Sequence, residues 1–369
     1  MTERVLPDAD TIQAALASHH GPWGPDVRVL SVRDLSTGLG QAAVLRVSLA
    51  TPHTEPSPWI VKILGWGRQT LLDSRDRLLD RREAHFYGSS ISDLLPHGLT
   101  IPRAATVFSH HDFTWLVMRD VGAVLQQSWT PESAVVAARR AALMYVPGTV
   151  RPGLLDAPWL EQEGWAAYVH HVPAGHENLE ALSDDPRLRT LFAPEQIRAL
   201  HACLDAADEL SARARELPST LVHGDLTPRN AGLDPRGDLA LIDWEHVGVG
   251  PVGFDLGTFV SVYRAFGGHG ELDEPGLLET YGRAVSELAD ADLMTAAALG
   301  FATAHLTWGI HLRLGPGLTA IRQGLDRATP AALAAGLDDI RSGCLRALSW
   351  AMAAGAGAMA GPQSAFRHL

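Results

Sequence analysis

Residues 27 to about 118 are written in short β-branched runs bounded by Gly, Pro, Ser or Thr, whereas from Pro131 onward the chain carries long Ala/Leu segments at helical spacing. That change of period excludes an all-helical or all-β fold. The strand-like runs fall at residues 27–32, 42–47, 59–64, 104–108 and 113–118, and one helical segment, residues 70–87, interrupts them. The second half predicts helices over residues 195–217, 289–314 and 331–352, with a strand-rich patch at 220–242. The expected fold class is therefore α+β, an antiparallel sheet with one main helix followed by a larger, mostly helical part. A chain of 369 residues exceeds what one core usually supports. Two lobes are expected, residues 1–120 and 121–369, dividing at Asp120-Val121-Gly122. Residues 351–361 are low in complexity and read as a terminus.

Composition narrows the partners. A formal net charge of −12 argues against nucleic acid or an anionic membrane as the main partner, since both demand a basic surface; a cationic small molecule suits it better. No apolar run reads as a membrane span, and the first residues lack a basic segment followed by an apolar stretch, so a cytoplasmic location is expected. Cys203 and Cys344, the two cysteines, have neither disulfide-framework nor zinc-ligand spacing.

Residues 223–230 read H-G-D-L-T-P-R-N and follow a short apolar strand. They place the Asp225 carboxylate five positions before the Asn230 carboxamide. A carboxylate there can accept the proton of an attacking hydroxyl, and a carboxamide oxygen can bind Mg²⁺, a hard cation that prefers oxygen. A second apolar strand, residues 239–242, then delivers Asp243, a carboxylate suited to a metal that neutralises phosphate charge.

The order H-G-D-x-x-x-x-N, then I-D-W-E, then G-P-x-x-x-D-L resembles the aminoglycoside phosphotransferase and choline kinase family, small-molecule relatives of protein kinases. The resemblance implies a bilobal protein-kinase-like fold. It also implies that Asp225 is the catalytic base, Asn230 and Asp243 are metal ligands, His223 orients the loop and Asp255 anchors it by hydrogen bonds. Arg229 joins the catalytic candidates, although the family more often carries a small residue beside the asparagine. Two further departures are a helix at residues 141–145 without the family's histidine and a Val249-Gly250-Pro251 that lacks its acid.

The amino-terminal half follows the same template. Ser36, Gly38 and Gly40 lie in a predicted hairpin whose backbone amides can approach phosphate, Lys62 follows on a strand, Glu83 on the helix, and Met118 in a hinge-like segment. In the family the lysine pairs the α/β-phosphates and the glutamate holds the lysine. Lys62 is the only lysine among 30 basic residues; the other 29 are arginine. A chain that uses arginine everywhere else has kept a compact ammonium where a guanidinium fork would not fit.

The resemblance thus implies transfer of the γ-phosphoryl of ATP or GTP, with Mg²⁺, to a hydroxyl of a small molecule by a monomer or homodimer; the acidic charge and the residues named below suit an amine-bearing acceptor without fixing it. The alternatives are a nucleotide-binding pseudokinase with a regulatory role and a protein kinase; the second lacks its D-F-G and A-P-E segments here. Aromatic and acidic candidates for acceptor contact are Trp159, Glu161, Glu163, Trp165 and Tyr168 before the loop, and Glu245, Glu271, Asp273, Glu274 and Trp308 after it.

Overall fold

The computed structural model describes residues 6–19, 22–36, 42–66, 79–89, 91–125, 128–145 and 153–360. Ten strands are present among them: β1 (Arg28–Asp34), β2 (Ala43–Thr51), β3 (Thr54–Leu64), β4 (Leu99–Thr100), β5 (Ala104–His110), β6 (Phe113–Arg119), β7 (Ser219–Val222), β8 (Ala231–Leu233), β9 (Leu239–Leu241) and β10 (Gly248–Pro251). The chain divides into two compact units. One is Met1–Gln127 with Asp234–Val247; the other is Ser128–Leu233 with Gly248–Leu369.

The first unit is built on a five-stranded antiparallel sheet in the order β1-β2-β3-β6-β5. Strand alternation sorts its residues. Ala43, Leu45, Val47 and Leu49 of β2 bury one face with Val61, Ile63, Trp115 and Val117, closed by Ile12 and Leu16 of the helix Ala9–Ser18. Register then puts the alternate residues on the other face: Val44 opposite Lys62, Arg46 opposite Ile60, and Ile60 opposite Met118. The helix expected over residues 70–87 is described as Leu79–Gly88, and the rest of that prediction lies outside the described residues. In the same unit β4 pairs in parallel with β9, which leads to Asp243.

The second unit is mostly helical, with a core of Leu200, Leu204, Ile310, Leu314, Leu318 and Cys344 among others. The predicted helix over 195–217 is broken into Pro194–Asp205 and Ala207–Arg215, because Ala206 leaves helical geometry. The prediction over 289–314 began too late in one respect and missed a break in another. The helix Glu274–Ala289 precedes it, capped by Asp273 through the Gly276 N–H at 3.0 Å, and ends at Asp290, whose φ is +50°. The next helix, Met294–His305, widens into π-helical turns at Leu306–His311 and Arg313–Gly317, where the Arg313 guanidinium bonds the Trp308 carbonyl at 2.7 Å and Pro316 supplies no amide proton. The last helix, Pro330–Ala360, carries on past the predicted end.

Inside this unit lies a small ribbon whose first strand matches the short apolar strand expected before residue 223 and whose second strand was not predicted. β7 and β10 pair antiparallel, with Val222 opposite Gly248 and Ser219 opposite Pro251. It sets the start of the 223–230 loop beside the helix Phe254–Ser261, which follows β10. Gly253 makes that entry possible: its φ is +96°, and a Cβ there would lie 2.2 Å from the Ala297 carbonyl oxygen. Among the described residues, no helix is long and apolar enough to cross a membrane.

Candidate active site

In the first unit, the face of the sheet that carries Lys62 forms one wall of a cavity of about 300 Å³. Val44, Ile60, Met118 and Ile242 give it apolar sides, and Lys62, Glu83 and Asp243 give it charge. The Lys62 ammonium donates to Glu83 Oε2 and to Asp243 Oδ1, at 2.6 Å each. Burial works against that ammonium, but Asp243 and Glu83 together overcome it and push its pKa well above the ordinary lysine value. Among the described residues, one cation bonds these two carboxylates. Burial pushes Glu83 up to about 7, with Lys62 opposing and Asp243 adding to the shift.

Three further contacts tie the Glu83 helix to the turn after β9. Arg82, itself buried, donates to the Glu245 carbonyl at 2.9 Å. Phe86 stacks on Trp244 with centroids 4.1 Å apart and planes 12° from parallel. Asp243 stands at the head of this turn with φ +66°, a left-handed conformation that aspartate tolerates better than most residues. Near the hinge, Arg46 Nε lies 2.6 Å from Asp120 Oδ2, and Asp120 Oδ1 accepts the Gly122 N–H at 2.7 Å. Ser36 lines the cavity, and its Oγ accepts the Val44 N–H at 3.0 Å. Gly38 and Gly40 lie outside the described residues.

In the second unit, the 223–230 loop is held by its main chain. The amides of His223 and Gly224 donate to the two oxygens of Asp255, at 2.7 and 3.0 Å. Burial pushes Asp255 up to about 7 against these two donors. Gly224 turns the chain with φ +79°, and the Asp225 N–H points at His223 Nδ1, 3.4 Å away. Asn230 Nδ2 donates to Asp225 Oδ2 at 2.8 Å and to the Asp225 carbonyl at 3.1 Å, so base and carboxamide candidates are bonded to one another. With its nitrogen committed to Asp225, the carboxamide oxygen is the atom of this side chain that a hard cation could take. Thr227 N–H closes on the Asp225 carbonyl at 2.8 Å, and the Trp129 indole N–H bonds the Pro228 carbonyl at 3.0 Å. Arg229 is exposed, with its guanidinium 4.1 Å from the Phe266 ring centre.

Several acceptor candidates are engaged in the fold itself. Glu163 pairs with Arg215 at 2.9 Å, Trp165 is buried against Val222 and Phe254, and Asp273 caps a helix. Glu274 accepts the Trp350 indole N–H at 2.6 Å and faces Arg346 at 3.3 Å. Tyr168 and Trp308 come together, with ring centres 6.4 Å apart. Sequence reasoning missed Arg82, the Phe86–Trp244 stack, the Arg46–Asp120 pair and Trp129. Only the position of Arg82 beside Glu83 offered a hint, since the others depend on contacts distant in sequence.

Among the described residues, no three His, Cys, Asp or Glu side chains are grouped so as to hold a metal ion. A cation here would need carboxylate and carboxamide oxygens supplemented by phosphate, which is how Mg²⁺ is commonly held in phosphoryl-transfer sites.

A unit bearing a buried Lys–Glu pair that also meets Asp243, and a helical unit bearing a braced H-G-D-x-x-x-x-N loop, define a kinase-like phosphotransferase. Residues 53–299 match the model of the phosphotransferase enzyme family (APH), and the chain belongs to that family. It is a small-molecule kinase, with an alcohol group as acceptor. Its structure is similar to that of choline kinase from Cryptosporidium parvum Iowa II, at 12% identity and a TM-score of 0.56, covering 94% of this chain and 97% of the other. It is also similar to an aminoglycoside phosphotransferase from Alicyclobacillus acidocaldarius, at 11% identity and TM-score 0.52, covering 97% and 98%. Amicoumacin kinase hAmiN, solved with AMP-PNP, Ca²⁺ and Ami, is similar at 15% identity and TM-score 0.51, covering 84% and 88%. At such identities the likeness shows a shared, protein-kinase-like fold. No curated protein matches in sequence.

Proposed function

We propose that this kinase transfers the γ-phosphoryl group of ATP, or GTP, to a hydroxyl of a small, amine-bearing molecule, with Mg²⁺ as cofactor. The observation that carries the reading is the single lysine of the chain bonded at once to Glu83 and Asp243 beside an apolar cavity. The cavity's apolar sides suit a purine base, and Ser36, Gly38, Gly40 and Met118 belong to the nucleotide site. Lys62 binds the phosphates, and Glu83 keeps its ammonium from collapsing onto Asp243 alone.

Asp243 in the first unit and Asn230 in the second each carry an oxygen that would serve as a ligand to Mg²⁺, and the metal would supply positive charge to the phosphates. Asp225 receives the acceptor proton, its carboxylate aimed by the Asn230 amide. His223 and Asp255 keep that loop in shape, and Arg229 meets the phosphoryl group as it moves. The complex of amicoumacin kinase with AMP-PNP supports nucleotide use, and the choline kinase and aminoglycoside phosphotransferase of similar fold support an amine-bearing acceptor. The test is a phosphotransfer screen with Mg·ATP and Mg·GTP across aminoglycosides, amino alcohols, sugars and nucleosides. Transfer to an amine-bearing alcohol is expected; transfer to none of these classes sinks the reading.

A further inference from the structure

We infer that Phe266 is a positioning residue for phosphoryl transfer, acting through Arg229; the inference rests on the function proposed above. Arg229 precedes Asn230 on the catalytic loop and is exposed, a setting in which a long side chain would ordinarily sample many rotamers at a cost in entropy whenever it is fixed. Here its guanidinium lies over the Phe266 ring at 4.1 Å, within the range where the ring's negative face attracts a cation.

The ring is itself held. Phe266 N–H donates to the Val262 carbonyl at 3.1 Å, and Gly268 N–H to the Tyr263 carbonyl at 2.9 Å. The Tyr263 hydroxyl then bonds the His269 carbonyl at 2.9 Å, so the segment is closed from within. A Cβ on Gly268 would lie 2.4 Å from the Tyr263 ring, which leaves that turn little room to relax.

Trp129 couples this segment to the catalytic loop. Its carbonyl accepts the His269 N–H at 2.9 Å, and its indole N–H bonds the carbonyl of Pro228, the residue before Arg229. Both the backbone ahead of Arg229 and the tip of its side chain are thus fixed by the same neighbouring segment. A guanidinium held this way presents its remaining N–H donors in a constant direction, ready for the oxygens of a transferring phosphoryl group without reorganisation.

The test compares Phe266→Leu, which keeps bulk and loses the π face, with Phe266→Tyr, which restores it. In the full-length protein the Arg229 Nε–H resonance, identified by its loss in Arg229→Lys, should lie upfield in the ring's shielding cone. It should return to the bulk of arginine signals in Phe266→Leu and move back upfield in Phe266→Tyr. In phosphotransfer assays Phe266→Leu should lower kcat about fivefold, with the nucleotide KM and the unfolding midpoint unchanged and with rescue by Phe266→Tyr. Adding Phe266→Leu to Arg229→Gln, which has no cation for the ring to hold, should cost nothing further. An unshifted Arg229 resonance, a wild-type kcat in Phe266→Leu, or additive losses in the double variant would overturn the inference while leaving the function standing. Wild-type protein that transfers phosphate to no acceptor would sink the function instead, and with it any role for Phe266 in transfer, while the resonance would still decide whether the guanidinium is fixed.

Discussion

Lys62, Glu83 and Asp243 of the first unit hold one another by side-chain charge, at 2.6 Å on each side of the ammonium, whereas Asp225 and Asn230 of the second unit sit on a loop fixed by amides donated to Asp255. The first arrangement depends on charge, one ammonium bonding two carboxylates among the described residues, and a metal with its nucleotide would change that balance. The second depends on shape and is insulated from such change. On the function proposed above, the group that would meet a polyphosphate is built from side chains, while the proton acceptor would sit on a loop braced through its main chain.

The sharpest way to break this contrast is Asp225→Asn. Loss of a general base costs about 10²–10⁴ in rate, so kcat should fall by about 10³ while nucleotide affinity, measured by calorimetry, stays near wild type. Unchanged turnover would remove Asp225 from that role. Lys62→Arg keeps the charge but must fit a planar fork between two carboxylates already at bonding distance. A loss of about 10² in kcat/KM for nucleotide is expected, and a rate close to wild type would show that the lone lysine is an accident of composition.

Asp255→Ala probes the main-chain brace. It strands two buried amides, each worth about 1–3 kcal/mol, so denaturant unfolding should show a loss of about 3 kcal/mol, and a loss under 1 would argue that solvent replaces the carboxylate. The pH dependence has a defined sign. Asp255 and Glu83 are raised to about 7 in the folded protein from ordinary values near 3.8 and 4.5, so the folded state holds protons there that the unfolded chain has released. Their contribution to stability is complete below about pH 4 and is lost as the pH rises to about 7. Asp255→Asn should flatten that slope, and an unaltered profile would assign it to other groups. The smallest effect is expected from Phe86→Leu, which removes the stack on Trp244. About 1 kcal/mol of stability should be lost, and the nucleotide KM should rise modestly because Glu83 shares that helix.

Much of this was legible from the chain before any coordinates. The strands of the first sheet follow from alternation, since Ala43, Leu45, Val47 and Leu49 must face one way and Val44, Arg46 and Ser48 the other. The catalytic candidates were legible because their spacing is local: Asp225 and Asn230 share one loop. The strand β10, which completes the ribbon with β7, was not, for it is four residues long and reads Gly-Val-Gly-Pro, without strand propensity. Nor was the break at Ala206, because Ala-rich sequence continues through it with little change of pattern. The Glu274–Ala289 helix did carry its start signal, Asp273 followed by Pro275, and a reading weighted toward caps would have found it.

Local sequence determined the phosphoryl-transfer loop, the two kinds of structure and the importance of Lys62, because each rests on residue type and short-range spacing. Only the tertiary structure decided that Lys62 bonds two carboxylates rather than one, that Arg82 and the Phe86–Trp244 stack secure the Glu83 helix, and that Asp255 spends both oxygens on loop amides. Those partners stand up to 181 residues apart. Nothing in the local pattern of a chain specifies which distant side chain closes a hydrogen bond; that choice is made by packing, where burial makes an unpaired charge too costly to leave.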